Sequence, residues 1–337
     1  GGAEYKDLKE RYLNVEVAEN LMGFFKSNDR YEVFTTRNKA AWSPEFANYF
    51  KAGWTEIIEW QKANRDAVKK LVEVGGLSSV VPAVYHNTVN PTIGLRLHGI
   101  NKWVNENDIN IAVHIHFNDY PRKNGPNPGK YTGFSIYVPE QQYFNSTTTK
   151  AIANTVYKRL AKYNPVSNLP GERAGIVEEQ DLIAIGSYNS VDAASMLIEF
   201  AYIYEPQLND PKLRPLYLKE IAYEPYLGLL DFFDTPNLYA VSKSFDTLTL
   251  PYRWTEPLDG KDDSPQDVFA LQTALILDGV YPPPGSTPNE CPRTGKLGLC
   301  TKSALKAFQQ KFGIDDEKDV AGPRTIETLN RIYSSPQ

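Results

Sequence analysis

The eleven residues Ile109 to Asp119, INIAVHIHFND, constrain this chain more than any other stretch. Ile109, Ile111 and Val113 recur at every second position, and polar Asn107-Asp108 and Asn118-Asp119 bound the run. That pattern predicts a strand buried on both faces. Positions i and i+2 of a strand point the same way, so His114 and His116 share one face. The chain holds only four histidines, and two of them are here. Two imidazoles at a strand end can approach one divalent cation, and a hydrolytic zinc takes three protein ligands and a water. The plainer reading is a histidine pair hydrogen-bonded within a sheet.

The flanking patterns set this strand among helices. Leu13, Val17, Leu21 and Phe24 recur at helical spacing up to Ser27-Asn28-Asp29. A short strand is predicted over Tyr31 to Thr36, then a long helix around Trp54, Ile57, Ile58, Val68 and Leu71, closed by Gly75-Gly76. From Leu77 to Gly99, with Pro82, Pro91, His86 and His98, there is no clear period, and the segment reads as a loop bordering the site. PRKNGPNPGK, after the histidine strand, is too rich in proline and glycine for a regular element. Strands are predicted over Tyr131 to Val138, Asp181 to Gly186 and Ser195 to Phe200. Ile152, Val156, Leu160 and Tyr163 predict a helix stopping before Pro165, and Leu218, Ile221 and Leu229 predict another ending near Phe233.

This alternation implies an α/β fold, a mostly parallel sheet flanked by helices on both faces, over residues 1–234. Ligands in such sheets sit beyond the carboxyl ends of strands, where His116 and Glu199 both fall. Periodicity fades over 235–265, which reads as a linker. Val268, Leu271, Leu275, Leu305, Phe308, Ile326, Leu329 and Ile332 then predict a small three-helix bundle over 266–337.

With 337 residues the chain is long enough for two cores. A net charge of -5 offers no basic excess to neutralise phosphates, which argues against a nucleic-acid partner. No apolar run reaches membrane-spanning length. The only two cysteines, Cys291 and Cys300, sit close together on a turn-rich loop with no further zinc donors nearby. They read as a local disulfide, and so as a protein working outside the cytoplasm, with two free thiols as the alternative.

The C-terminal segment resembles the peptidoglycan-binding domain of cell-wall hydrolases. The residues that carry the likeness include Leu271-Gln272, Gly295-Lys296-Leu297-Gly298, Phe308-Gln309, Gly322-Pro323, Thr325 and Leu329. The inserted loop YPPPGSTPNECP with its cysteine pair departs from that pattern. The larger part is similar to the zinc-dependent N-acetylmuramoyl-L-alanine amidases of the type 3 family. Their motif E-x-x-L-N-L-x-I-A is matched by Glu10, Leu13, Asn14, Val15, Val17 and Ala18, and their strand ending in Thr-Arg by VFTTR, Val33 to Arg37. S-I-H-x-N is matched by His114 to Asn118, and the late strand P-x-x-L-x-E-x-G-F by the run that carries Glu199.

The resemblance implies a Zn2+ ion bound by Glu10 and His116, with Glu199 as the catalytic carboxylate that takes a proton from water and passes it to the leaving amine. The bond cut would join the lactyl group of N-acetylmuramic acid to L-alanine. A secreted or wall-associated monomer acting on peptidoglycan is the expectation, whether host autolysin or phage endolysin. Two departures stand out. An insertion over about 38–100 is expected to shape the cleft. The family's first zinc histidine precedes a Gly-Gly pair, and this sequence opens on Gly1-Gly2; an upstream strand and ligand is the preferred expectation, with His114 as a replacement ligand the other.

Each residue also has a plainer role. Glu10 suits a first-turn carboxylate favoured by a helix dipole, Arg37 an anchor of its strand end, and His86 and His98 ordinary loop positions. A lone carboxylate amid the apolar residues around Glu199 is costly unless partnered. The rival readings are an amidase-fold protein without activity, acting as a peptidoglycan-binding scaffold or regulator, and a zinc carboxypeptidase acting on stem-peptide ends.

Overall fold

Two short strands, β1 (Glu4–Tyr5) and β2 (Leu8–Lys9), form a hairpin that delivers the chain into helix α1 (Glu10–Phe25). The computed structural model describes residues 2–26, 30–86, 89–119, 122, 127–185, 192–233, 245–316 and 319–335. Helices α2 (Pro44–Ala52), α3 (Trp54–Glu73) and α4 (Pro91–Glu106) follow, then β3 (Ile111–Asn118), β4 (Ser135–Pro139), α5 (Ser146–Tyr163), β5 (Ile176–Glu179) and β6 (Ala194–Tyr202). A short helix α6 (Pro206–Asn209) and the long α7 (Arg214–Phe233) complete this part, and α8 (Pro265–Leu277), α9 (Leu299–Phe312) and α10 (Pro323–Tyr333) form the C-terminal bundle. Among the described residues no helix is long and apolar enough to cross a membrane.

The sheet runs β3-β6-β4-β5. β3 with β6 and β4 with β5 are parallel, and β4 with β6 is antiparallel, so the sheet is mixed but mostly parallel, flanked by helices as expected. Alternation along the strands sorts the side chains. Phe117, Ile136, Val138, Met196, Ile198 and Phe200 enter one core with Leu13, Val17 and Leu21 of α1, Val156 of α5 and Leu218 and Ile221 of α7. On the other face, α2 to α4 pack mainly on one another through Phe46, Phe50, Ile57 and Trp103. They meet the sheet at Ile109, Ala112 and Ala193.

Several elements differ from the sequence expectation, each for a local reason. Among the described residues β3 pairs only with β6, so it is an edge strand and half-buried instead of buried on both faces. Residues 31–36 form no ladder; Arg37 makes an isolated bridge to Trp42. Pro91, read as a loop signal, is the first residue of α4, where a missing N–H costs nothing. Asn90 caps that helix by accepting from the Thr92 N–H at 3.0 Å. β4 starts late because Gly133 has φ +100°, and a Cβ there would lie 2.6 Å from the Pro165 carbonyl oxygen. The strand expected from Asp181 falls instead at β5: the Glu179 carboxylate accepts the N–H groups of Gln180 and Asp181, which takes both from any ladder. Residues 182–185 are turn. The end of that expectation, Gly186, lies outside the described residues, as do 27–29, most of 120–126 in the proline-rich turn, and 234–244 of the linker.

Residues from Phe245 onward are packed. Phe245, Leu250, Trp254 and Leu258 join Leu271, Leu275, Leu305, Phe308 and Leu329 in a second core. Asn330 fastens this segment to α10, donating to the Trp254 carbonyl at 2.8 Å and accepting from its N–H at 2.9 Å. Phe269 of α8 turns the other way, into the main core, against Tyr217. Cys291 and Cys300 are disulfide-bonded, with Cα atoms 5.7 Å apart. Their loop carries Arg293, buried with its guanidinium 4.1 Å from the Phe269 ring and 5.1 Å from that of Tyr163.

Candidate functional site

The sheet face away from α1, α5 and α7 forms the floor of a cleft of about 2110 Å³ that contains Glu10, His86, His114, His116, Glu179 and Glu199. His116 and Glu199 sit opposite each other in the register of β3 and β6. Glu10, the first residue of α1, reaches the same spot from beyond the end of β3, and its Oε1 lies 2.9 Å from His116 Nδ1. The hairpin aims it. Its Oε2 accepts from the Ala3 N–H at 2.6 Å, and Oε1 from Asn14 Nδ2 at 3.3 Å. Gly2 makes room for this turn: its φ is +102°, and a Cβ would fall 2.8 Å from Glu10 Oε2. The carboxylate is buried, and the His116 side chain is 42% exposed.

Charge is arranged unevenly. Burial opposes a charge on His116, but the Glu10 carboxylate, with Glu199 adding to it, raises its pKa to about 9. Burial likewise opposes ionised Glu10, and its bonds to His116, Ala3 and Asn14 outweigh this and lower its pKa. Burial raises Glu199 to about 8; His116 offsets part of that, while Glu10 and Glu172 add to it. Its Oε2 is sealed from solvent and, among the described residues, meets no donor. His114 is held neutral, lowered to about 3 by burial and by His116, with Nε2 3.5 Å from Ser195 Oγ.

Beneath the site lies a carboxylate that the sequence did not single out. Glu172 is fully buried, and its oxygens accept from Asn118 Nδ2 at 2.9 Å, Tyr137 Oη at 2.5 Å, Tyr202 Oη at 3.1 Å and the Ser167 hydroxyl. Asn118, Tyr137 and Tyr202 lie on β3, β4 and β6, so one residue ties three strands together. No periodicity or spacing marks Glu172. His86, read as an ordinary loop residue, lines the cleft, with its ring 5.1 Å from Tyr137 and Nε2 4.0 Å from Glu179 Oε2. Its rarity was the one available signal. His98 is buried in α4 beside Trp60 and does not line the cleft. Arg37 lines it too, though no strand end is there for it to anchor.

An imidazole and a carboxylate in contact, with a donorless acid across the strand pair, suit a divalent cation and a bound water. Among the described residues no three His, Cys, Asp or Glu side chains are close enough to hold a metal ion together.

No curated protein matches the chain. Among solved structures it is similar to the CwlD amidase from Clostridioides difficile, in complex with the GerS lipoprotein, at 15% identity and a TM-score of 0.44, over 69% of this chain and 91% of that one. It is also similar to an N-acetylmuramoyl-L-alanine amidase from Clostridium difficile 630, at 17% identity and a TM-score of 0.40, over 70% of this chain and 90% of that one. A third is the amidase Ami1 from Mycobacterium smegmatis, at 16% identity and a TM-score of 0.32, over 52% and 75%. Residues 1–230 match the model of the N-acetylmuramoyl-L-alanine amidase family, and the chain belongs to that family.

Proposed function

We propose that this chain is a zinc-dependent peptidoglycan amidase that cleaves the amide between the lactyl group of N-acetylmuramic acid and L-alanine. The observation that carries the reading is the convergence of Glu10, His116 and Glu199 on one patch of the cleft floor. Glu10 and His116 would supply two of the three protein donors a hydrolytic zinc takes. When bound, zinc provides a Lewis acid for the scissile carbonyl and acidifies a water.

Glu199 does the proton work. Glu199 lines the cleft, and among the described residues no donor holds its Oε2, so the carboxylate is free to take a proton from the attacking water and deliver it to the leaving amine. Burial raises its pKa towards neutrality, which suits a group that must both accept and give a proton. His114 stays neutral and fills the floor behind His116. Residues 266–337 act as the peptidoglycan-binding unit, with 235–265 joining it to the amidase part at 1–234. The disulfide and the substrate together support an extracytoplasmic, secreted or wall-associated protein.

Metal analysis of the purified protein, followed by mass spectrometry of digested sacculi, tests the reading. Bound zinc and release of intact stem peptides are expected. Release of single terminal residues would indicate a carboxypeptidase, and wall binding without zinc or release would indicate the scaffold role.

A further inference from the structure

One buried carboxyl group in the cleft is not used by this chemistry. Glu179 closes β5 and is 2% exposed. Its Oε1 accepts the N–H groups of Gln180 at 2.9 Å and Asp181 at 3.1 Å, but Oε2 is sealed and among the described residues meets no donor. Burying a carboxylate oxygen without a partner is costly. Among the described residues no Lys or Arg nitrogen comes within ion-pair distance of it, and Asp181 beside it adds charge of the same sign. His86 Nε2, at 4.0 Å, is too far for a hydrogen bond. Burial lowers the pKa of that imidazole to about 4, so it is uncharged near neutrality.

We infer that Glu179, walled by His86, is a seat for a primary ammonium group on the stem peptide. This rests on the amidase reading and adds a substrate feature to it. The placement follows from the sheet. Glu199 lies opposite Ser135 on β4, and Glu179 lies opposite Pro139 on the far side of the same strand. Four residues along β4 and two strand spacings across put the two acids on the order of 15 Å apart. A peptide extended from the scissile bond covers about 10 Å in three residues. A long amine-bearing side chain on the third residue spans the remainder. Both acids line the same cleft. The buried oxygen then gains the cation it lacks, and a peptide without that amine leaves it unpartnered.

The test uses two N-acetylmuramoyl tripeptides, one with a free amine on its third side chain and one with that amine acetylated. Binding is measured by calorimetry on the full zinc-loaded chain carrying Glu199→Gln, so that bound peptide persists. The free amine is expected to bind about tenfold more tightly, with the preference abolished by adding Glu179→Gln and retained with His86→Ala. Equal binding of both peptides before any change at Glu179, or a preference that survives Glu179→Gln, overturns the inference. So does a fall in zinc content on Glu179→Gln, which would make Glu179 a metal ligand. Hydrolysis by the unmutated protein reports the amidase reading separately. Cleavage of both peptides with indifferent binding keeps the amidase and removes the seat, whereas selective binding without cleavage does the reverse.

Discussion

His116 and Glu199 occupy the same rung of a parallel strand pair, β3 with β6, and their side chains stand on the same face of the sheet. The ladder immediately beyond them is irregular, with a register shift between His116 and Asn118. Asn118 donates to Glu172, and that carboxylate also holds Tyr137 and Tyr202, so the rung is pinned from beneath. A slip of one residue in β3 would put His116 on the packed face and undo the site.

Glu199→Gln keeps the size and shape of the side chain but removes its ability to carry a proton. Peptidoglycan hydrolysis is expected to fall by about 10² to 10⁴-fold, while zinc content and melting temperature stay at the wild-type level. Dye release from labelled sacculi beside metal analysis checks this; retained activity would remove Glu199 from the chemistry.

Gly2→Ala tests how finely Glu10 is aimed. The added Cβ would meet Glu10 Oε2 in a backbone conformation that L side chains rarely adopt. Zinc affinity is expected to weaken about 10 to 100-fold, the range found when groups that support a ligand are disturbed. Competition with a zinc chelator measures it, and Lys6→Ala, at another left-handed turn position of the hairpin, serves as the control.

Asp246 ties the segment leading into the C-terminal part to α5. It pairs with Arg159 at 3.0 Å and Lys162 at 2.6 Å and accepts from the Tyr163 hydroxyl at 2.8 Å. Burial raises its pKa, but these partners outweigh that and leave it lowered. A lowered folded pKa gives stability that is present above the usual aspartate value of about 3.9 and is lost as pH falls through the folded value. Asp246→Asn is expected to cost about 1 to 3 kcal/mol at pH 7, with the gap to wild type closing below about pH 3. Urea unfolding at several pH values provides the measurement.

Arg293 faces a buried acidic cluster. Its Nη1 donates to Thr273 Oγ1 at 2.8 Å, and its charge offsets the rise in the Glu224 pKa that burial and Glu220 produce. Arg293→Ala leaves those acids without it and is expected to cost about 3 to 5 kcal/mol. Restoration by adding Glu224→Gln, followed by thermal unfolding, would assign the loss to charge; an uncompensated loss would assign it to the contacts with Phe269 and Tyr163.

How much was legible beforehand depended on whether the signal was local. Leu13, Val17 and Leu21 announced α1, and the spacing of His114 and His116 announced β3 and the face they share. Glu10, His116 and Glu199 were reached through motifs, and the fold brings them to one patch. Other features depend on contacts that span the chain. Glu172 acquires its role only where β3, β4 and β6 meet. His86 lies on the segment whose Ser78 and Val80 are held by Gln142 and Gln180, residues far along the chain, and α4 was hidden by Pro91, a helix start that reads as a breaker. The edge position of β3 is a matter of strand order, which no run of residues encodes.

The direction in which Phe269 points has a practical effect on how this molecule can be divided. It belongs by position to the C-terminal bundle, yet its ring completes the interior of the amidase part against Tyr217. A truncation at residue 265 would therefore leave a hole the size of a benzyl group in the shortened protein and expose its lining to water. Protein made that way would understate what the amidase half does in the whole chain, and studies of the two halves belong on the uncut polypeptide.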